Sequence, residues 1–395
     1  MKRTRLVPLT LIASFALLGA ARTSLLKVAA AQGSGADQVP RFQVDPLWPK
    51  PLPNKWVMGS VVGVSVDSKD RVWIVHRPSS LVDNEKAAAL KPPLADCCFP
   101  APPILAFDQA GNLVQSWGGP GAGYDWPGSE HGIYVDYKDN VWIGSNGAKD
   151  THALKFTQAG RFLLQIGKAG TSGGSNDTQN LNKPTTMTVD PAANEVYVAD
   201  GYGNRRVIVF DADSGQYKRH WGAYGKRPDD SDAYNNAGAV VGKDYDPNRL
   251  AQQFGRAVHG VAISKEGLVY VSDRVNNRIQ VFRKDGTFVK EGFINRRTLG
   301  FGSAFESAFS VDAEQRFLYN VDGMSQKVDI LRRDTLEILT SFGQGGRYPG
   351  QFFSVHSVAT DSRGNIYTGE TLEGKRVQRF VYKGTGTVAA AGQAR

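Results

Sequence analysis

Apolar and polar residues alternate along this chain with a period of two, in short runs that are separated by turns rich in Asp, Asn and Gly. This alternation is typical of β-strands that are joined as hairpins. No helical periodicity of useful length competes with it. The pattern therefore predicts an all-β protein.

One unit of the pattern recurs: a short apolar run, an Asp or its equivalent, a polar turn, and a second strand-like run. The six copies lie at residues 63–75, 132–143, 187–198, 261–271, 310–319 and 358–367. Most copies continue into a third and a fourth strand, which predicts four-stranded antiparallel blades around a central channel, a six-bladed β-propeller. Residues 41–45 precede the first copy, and we expect them to pair with the last blade and close the ring.

Three of the six histidines occupy one equivalent position in the repeat. Counting back five residues from the Asp of each unit, or from Ser264 in the fourth, gives Val62, His131, Thr185, His259, Ser307 and His356. Units two, four and six therefore carry histidine at the entry to the innermost strand, and alternate blades of a six-fold ring are about 120° apart. Three converging imidazoles with a fourth position open are the pattern of a catalytic zinc site.

The ends of the second strands should lie on the same face as this histidine trio, because the second strand of a blade returns to the face from which the first departs. Unit one ends there in His76-Arg77, and unit three in Asp200-Gly201-Tyr202. Arg77 offers a fixed cation that suits a carboxylate or a developing oxyanion. Tyr202 would act as a proton acceptor, since positive charge from the metal and Arg77 favours a phenolate. The structural alternatives to these functional roles are a surface Arg–Asp ion pair for Arg77 and a tyrosine at the edge of a blade for Tyr202.

The first 31 residues have the layout of a secretory signal peptide, with a basic start, an apolar run at residues 6–21 and a small-residue cleavage site at residues 29–31. We therefore predict an exported protein, periplasmic or extracellular, that is not membrane-bound after cleavage. The propeller is expected at residues 32–383, and the Gly/Ala/Thr-rich residues 384–395 are expected to be a disordered tail.

The formal net charge of +9 is concentrated at the start of the chain. The five basic residues of the signal segment are Lys2, Arg3, Arg5, Arg22 and Lys27. The remaining Lys and Arg are scattered among acids, so the sequence predicts no nucleic-acid partner. The adjacent Cys97 and Cys98 either form a vicinal disulfide or stay unpaired.

The blades resemble NHL repeats, most clearly at residues 199–207 and 272–282. The ordered set of His76-Arg77, the three histidine segments and residues 200–205 also resembles peptidyl-α-hydroxyglycine α-amidating lyase. That family is a six-bladed propeller that splits a C-terminal α-hydroxyglycine into a peptide amide and glyoxylate. The resemblance implies a channel zinc on His131, His259 and His356, with Arg77 stabilising the oxyanion and Tyr202 deprotonating the substrate hydroxyl.

The resemblance also implies a calcium ion near the zinc. Where the family has Met-Pro-His-Asp, this chain has Ser354-Val355-His356-Ser357, so the acidic side chain that the family gives to calcium is missing. Calcium would then rely on backbone carbonyls, near Ile133, and its affinity should drop because less negative charge surrounds it.

Two other functions fit a propeller of this kind. The first is a non-catalytic secreted NHL propeller that binds a protein or a ligand. The second is a metal-dependent, lactonase-like hydrolase, which would favour carboxylate-rich ligands in the channel. For the lyase we expect a peptide or small-molecule substrate. The sequence leaves open its identity, the oligomeric state, for which a monomer is plausible, and a channel metal such as iron, copper or manganese, which also accept imidazole.

Overall fold

Each copy of the repeat folds as a sheet of four antiparallel strands, in a computed structural model that describes residues 38–231, 246, 248 and 250–387. The innermost strand of every sheet contacts the innermost strands of its two neighbours, and the sixth contacts the first. The sheets thus form a closed ring, which confirms the predicted six-bladed β-propeller. The proposed signal segment, residues 1–31, lies outside the described residues.

The strands follow the chain blade by blade, from the channel outward. Blade one consists of β3 (Ser60–Val66), β4 (Val72–Arg77), β6 (Ile104–Phe107) and β7 (Leu113–Trp117). The strands outside this sheet are β1 (Gln38–Asp45), β2 (Trp56–Val57) and β5 (Phe99–Pro100). Blades two and three are β8 (Glu130–Val135), β9 (Asn140–Ser145), β10 (Ala153–Thr157), β11 (Phe162–Ile166), β12 (Pro184–Asp190), β13 (Glu195–Asp200), β14 (Arg206–Asp211) and β15 (Tyr217–Trp221). Blades four to six are β16 (Val258–Ile263), β17 (Val269–Asp273), β18 (Arg278–Phe282), β19 (Phe288–Phe293), β20 (Ser307–Phe309), β21 (Phe317–Asp322), β22 (Lys327–Arg332), β23 (Glu337–Phe342), β24 (Val355–Thr360), β25 (Ile366–Glu370) and β26 (Arg376–Thr387).

The helical content of the described residues is confined to short 3₁₀ turns. They comprise Pro78–Ser80, Asp83–Glu85, Ala87–Ala89, Ala223–Gly225 and Arg274–Asn276. Among the described residues, no helix combines the length and the apolar character that a membrane span requires.

The first strand of the chain completes the last blade. β1 pairs with β26, so the sixth sheet has the order β1-β26-β25-β24 and joins the two ends of the propeller, as the sequence predicts for residues 41–45. β26 continues to Thr387, so the predicted boundary of the tail after residue 383 falls inside a strand, and residues 388–395 lie outside the described residues. By contacts, Pro40–Gly384 forms one compact unit.

The Asp that marks each repeat has a local role in blades one, two and six. The carboxylates of Asp67 and Asp136 each accept a hydrogen bond from an indole N–H six residues later, of Trp73 and Trp142, both at 2.9 Å. In blade six the phenol of Tyr367 donates to Asp361, also at 2.9 Å. Because the partners lie on adjacent strands of one hairpin, this bond closes the turn and buries an aromatic ring that carries a polar group.

The hydrophobic core lies between neighbouring blades. Apolar clusters bridge blades one and two, two and three, three and four, four and five, and six and one. Blades one to four therefore bury both of their faces. This explains why the inner strands, such as Val72–Arg77 and Glu195–Asp200, are buried over almost their whole length.

Candidate metal centre and active site

His131, His259 and His356 lie near the start of the innermost strands of blades two, four and six. Their ring centroids are 5.0, 4.8 and 4.7 Å apart, so the rings form a nearly equilateral triangle. One ligand nitrogen from each ring lies within 4.8 Å of the others. In the part of the chain that the structure describes, this trio is the one group of three or more His, Cys, Asp or Glu residues with such spacing.

A β-bulge sets the direction of each histidine side chain. The pairing register of the first two strands shifts between His131 and Ile133, between Val258 and Gly260, and between Val355 and Ser357. Such a bulge leaves one residue outside the ladder and re-aims the neighbouring side chain. In blade two the extra residue is Gly132 at φ +56°, where an added Cβ would stand 2.0 Å from the Thr185 carbonyl oxygen. Only glycine fits this bulge without moving the next blade.

The nitrogens of the trio fit a metal ion. His131 Nδ1 donates to the carbonyl of Thr185 at 3.3 Å, and His259 Nδ1 donates to that of Phe305 at 2.7 Å, because a carbonyl oxygen can only accept. Backbone carbonyls that hold Nδ1–H commonly orient a metal-ligating histidine. Within the described chain, Nε2 of His131 and of His259 and Nδ1 of His356 are buried without a hydrogen-bond partner. A buried imidazole nitrogen without a hydrogen-bond partner lowers the stability of the folded protein unless a ligand binds it.

Burial holds all three imidazoles in the neutral form that binds metals. It is the largest cause that lowers the pKa of His131, His259 and His356 well below the usual histidine range. The positive charges of Arg77 and Arg274 lower these pKa values further, Arg77 acting on His131 and His356 and Arg274 on all three. The trio is therefore ready to bind a cation without first losing protons.

Tyr202 and Arg77 lie beside the trio, as the sequence predicts for the ends of β13 and β4. The Tyr202 ring packs edge-on against His131 and His259, with centroids 5.2 and 5.8 Å apart. Arg77 donates from Nε to the Glu130 carbonyl and from Nη2 to Asn146 Oδ1, both at 2.8 Å. These neutral acceptors orient the guanidinium, and the nearby carboxylates of Glu130 and Asp150 act on its charge through space without an ion pair in the described chain.

Arg274 is a functional candidate that the sequence analysis missed. It is buried, donates from Nη1 to the Tyr202 hydroxyl at 2.9 Å, and lies over the rings of Tyr202 and Phe305. Arg274 directly follows β17, whereas Tyr202 stands two residues after β13 and Arg77 is the last residue of β4. All three lie at the end of a second strand, so inspecting that end in blade four would have found Arg274. Among the described residues, neither Arg77 nor Arg274 forms an ion pair with a carboxylate.

These side chains line one pocket of about 260 Å³ at the channel mouth. We refer to Arg77, Tyr202, Arg274 and His356 as its floor and to the other lining residues as its walls, namely Phe301, Phe305, Gly323, Met324, Gln326, Ser354, Val355, Thr371 and Leu372. The pocket therefore brings together two guanidinium groups, a phenol and one imidazole of the histidine trio. This combination suits a small molecule that carries or develops negative charge.

His76 has a structural role rather than a place in the trio. It is fully buried, accepts a hydrogen bond at Nδ1 from the Gly59 N–H at 3.1 Å, and donates from Nε2 to the Pro102 carbonyl at 2.9 Å. Burial lowers its pKa from 6.5 to about 4. The ring thus ties the end of β4, and with it Arg77, to two neighbouring loops.

Acidification should destabilise the fold through His76. Between about pH 6.5 and pH 4 the unfolded chain binds a proton at this position that the folded chain does not, so the free energy of unfolding falls as the pH falls. His76→Gln keeps an acceptor and a donor but cannot be protonated. We expect it to reduce this pH dependence by up to about 1.4 kcal/mol per pH unit, measured by urea denaturation from pH 7 to pH 4.5. Equal slopes for the variant and wild type would contradict a neutral buried His76. The control is Tyr348→Phe, which changes a tyrosine that is 77% exposed and leaves every histidine in place.

Two further sequence predictions concern Ile133 and the cysteines. Ile133 is buried, and its side chain packs in the cluster between blades one and two. A calcium ion on its carbonyl stays a prediction.

Cys97 and Cys98 form a disulfide with each other, the first of the two alternatives. The bond lies in the long connection between β4 and β6, and Cys98 lines a second cavity of about 640 Å³ at the side of blade one.

Comparison with known proteins supports the fold and points to a family. The family model "NHL repeat" matches residues 258–282, which are β16 to β18 of blade four. The chain is 26% identical over 365 residues to peptidyl-alpha-hydroxyglycine alpha-amidating lyase 1 of Drosophila melanogaster, an alignment that covers 85% of this chain and 59% of that protein. It is 24% identical over 329 residues to peptidyl-glycine alpha-amidating monooxygenase of Mus musculus, covering 79% of this chain and 29% of that protein.

The chain thus spans less than two thirds of the length of either relative. Among solved structures, a streptogramin B lyase matches with a TM-score of 0.51 at 11% identity, covering 87% of this chain and 98% of that one. This likeness concerns the fold alone. The chain is therefore a six-bladed β-propeller that matches the NHL-repeat model in blade four and is similar in sequence to a peptidyl-alpha-hydroxyglycine alpha-amidating lyase.

Proposed function

We propose that this protein is an exported zinc-dependent lyase that splits the carbon–nitrogen bond of a peptidyl-α-hydroxyglycine, releasing a peptide amide and glyoxylate. The observation that carries the proposal is the pocket in which Tyr202, Arg77 and Arg274 lie beside His356 and the rest of the histidine trio. A binding propeller has no need for three buried imidazoles, each with one nitrogen that lacks a hydrogen-bond partner, beside two arginines that form no ion pair among the described residues. The name of the Drosophila melanogaster relative, peptidyl-alpha-hydroxyglycine alpha-amidating lyase 1, supports the same chemistry.

The nitrogens of His131, His259 and His356 would hold the metal. When bound, zinc supplies a Lewis acid that polarises the substrate hydroxyl and stabilises the oxygen as negative charge develops. The three imidazoles are held at fixed positions on different blades, and two of them are fixed by backbone carbonyls. The protein therefore needs little rearrangement to present this charge to the substrate.

Tyr202 would accept the proton of the substrate hydroxyl. Its oxygen receives the hydrogen bond from Arg274 Nη1 at 2.9 Å, and this cation stabilises negative charge on the phenol oxygen. Proton removal forms the carbonyl of glyoxylate, while the electrons of the breaking carbon–nitrogen bond pass to nitrogen. The proton then moves to that nitrogen and completes the amide, so that atoms and charges balance.

Arg77 would bind the anionic part of the substrate. An α-hydroxyglycine ends in a carboxylate, and a guanidinium that no carboxylate already occupies can receive it with two parallel hydrogen bonds. The contacts of Arg77 with Glu130 and Asn146 use Nε and Nη2 and leave Nη1 for a ligand. The same charge would stabilise an oxyanion as it forms.

The remaining parts of the proposal follow the sequence. Export rests on residues 1–31, and calcium near Ile133 rests on the resemblance. A lactonase-like hydrolase is the weaker alternative, since the channel position that would need carboxylates carries histidine instead. A peptide is the expected substrate, and neither a nucleic acid nor a membrane is an expected partner.

The proposal is tested by glyoxylate release. The purified zinc-loaded protein is incubated with an N-acetylated dipeptide that ends in α-hydroxyglycine, and both products are quantified. We expect Arg274→Gln to lower kcat/KM by about 10²- to 10³-fold, because Tyr202 loses its cationic partner. The matched control is Arg316→Gln, which removes an arginine that is largely exposed on blade five. Absence of glyoxylate from the zinc-loaded wild type would overturn the lyase and favour a binding propeller.

A further inference from the structure

Three large apolar side chains are exposed at the mouth of the active-site pocket. Phe301 is 52% exposed, Met324 42% and Leu372 51%, and all three line the cavity whose floor is Arg77, Tyr202 and Arg274. A soluble protein seldom leaves several such groups together without a ligand. We call these three side chains the apolar wall. They are contributed by blades four, five and six, while blades one and three contribute the polar Arg77 and Tyr202.

The backbone holds this wall in place. Gly302, at φ +82°, packs so closely on the Arg274 carbonyl that an added Cβ would lie 2.0 Å from its oxygen, which fixes the loop that carries Phe301. A Cβ on Gly300 would lie 3.0 Å from Met324 Cε, so this methionine packs against the same loop. The Leu372 carbonyl accepts a hydrogen bond from Ser60 Oγ at 2.9 Å. The wall is therefore preformed rather than created by binding.

The size of the pocket limits what the wall can bind. A volume of about 260 Å³ lies just below the range of about 300–1,000 Å³ that encloses a whole drug-sized ligand. The pocket thus has room for the end of a longer molecule, namely the reacting unit and one adjoining side chain. Because the floor binds the reacting unit, the adjoining side chain meets the wall.

The chemistry of the wall selects the type of side chain. Arg274 is covered by the rings of Tyr202, Phe301 and Phe305, with its guanidinium carbon 5.1, 5.6 and 5.0 Å from their centroids. A charged side chain placed on Met324 and Leu372 would lose water without gaining a partner there. An apolar side chain would instead bury its own surface together with that of the wall.

We propose that Phe301, Met324 and Leu372 form a specificity subsite that binds a large apolar side chain on the residue preceding the reacting glycine unit. This inference rests on the proposed function for the identity of the reacting unit. The protein then selects peptides that end in an apolar residue followed by α-hydroxyglycine, and discriminates against Ala, Asp or Lys at that position.

The experiment measures binding separately from turnover. N-acetyl-Phe-Gly and N-acetyl-Ala-Gly carry the same terminal carboxylate but lack the hydroxyl and cannot react. Calorimetry on the zinc-loaded protein should show tighter binding of the Phe compound by about tenfold or more, the usual range for discrimination in an apolar pocket. The ratio of kcat/KM for the corresponding hydroxyglycine substrates should show the same preference.

The double variant Met324→Ser, Leu372→Ser should reduce the binding preference to about twofold. The control variant Leu47→Ser removes a leucine that is 83% exposed and lies outside the pocket, and it should keep the full preference. Equal binding of the two compounds by wild type, or an unchanged preference in the double variant, overturns the subsite. Failure of the lyase is recognised separately, as selective binding without any glyoxylate release.

Discussion

Replacing His131 and His259 with alanine is expected to abolish metal binding at the channel. Wild type should carry about one zinc ion per chain by elemental analysis, and the double variant less than about a tenth of that, because a single imidazole cannot hold the ion. Burial keeps the pKa of each of these histidines well below 6.5, so wild type should retain its metal at mildly acidic pH.

The thermal stability provides a second measurement of the same site. A ligand that binds only the folded state stabilises it, by about 4 kcal/mol at a thousand times its Kd. Added zinc should therefore raise the Tm of the metal-free wild type but not that of the double variant. His220→Ala, which alters a half-buried histidine on β15, is the control and should behave as wild type. Wild type that takes up no metal, even after incubation with zinc, would refute the metal centre and the lyase together.

Tyr202→Phe should lower kcat by about 10²- to 10⁴-fold, the usual contribution of a positioned general base. The phenylalanine ring keeps the edge-on packing against His131 and His259 but has no oxygen to take the substrate proton. Metal content should remain at the wild-type level, which separates loss of the base from loss of the metal. The measurement is glyoxylate release at saturating substrate.

The control for this variant is Tyr348→Phe, at a tyrosine that is 77% exposed. Tyr348→Phe should keep the wild-type kcat, because its side chain lies outside the pocket. A Tyr202→Phe enzyme that retains wild-type kcat would show that another group accepts the proton.

Much of the candidate site could be predicted because equivalent positions of the repeat occupy equivalent places in every blade. Once the five Asp positions and Ser264 are aligned, a count of five residues places His131, His259 and His356 at equivalent points of alternate blades. The same reasoning located Arg77 and Tyr202, since the second strand of each blade returns to the histidine face. Arg274 was missed because the ends of the second strands were considered in blades one and three and not in blade four.

The sequence by itself determined the blades, because the hydrogen bonds that close their inner hairpins are local. The bonds from Trp73 to Asp67 and from Trp142 to Asp136 join residues six positions apart on one hairpin, so the pattern is visible along the chain. Only the tertiary structure decided which groups meet across blades. The contact of Arg274 with Tyr202 spans 72 positions, and the wall of Phe301, Met324 and Leu372 gathers loops of three blades. Such contacts exist only after the ring closes, because neighbouring blades bury their faces against each other and no local pattern records which side chains then converge.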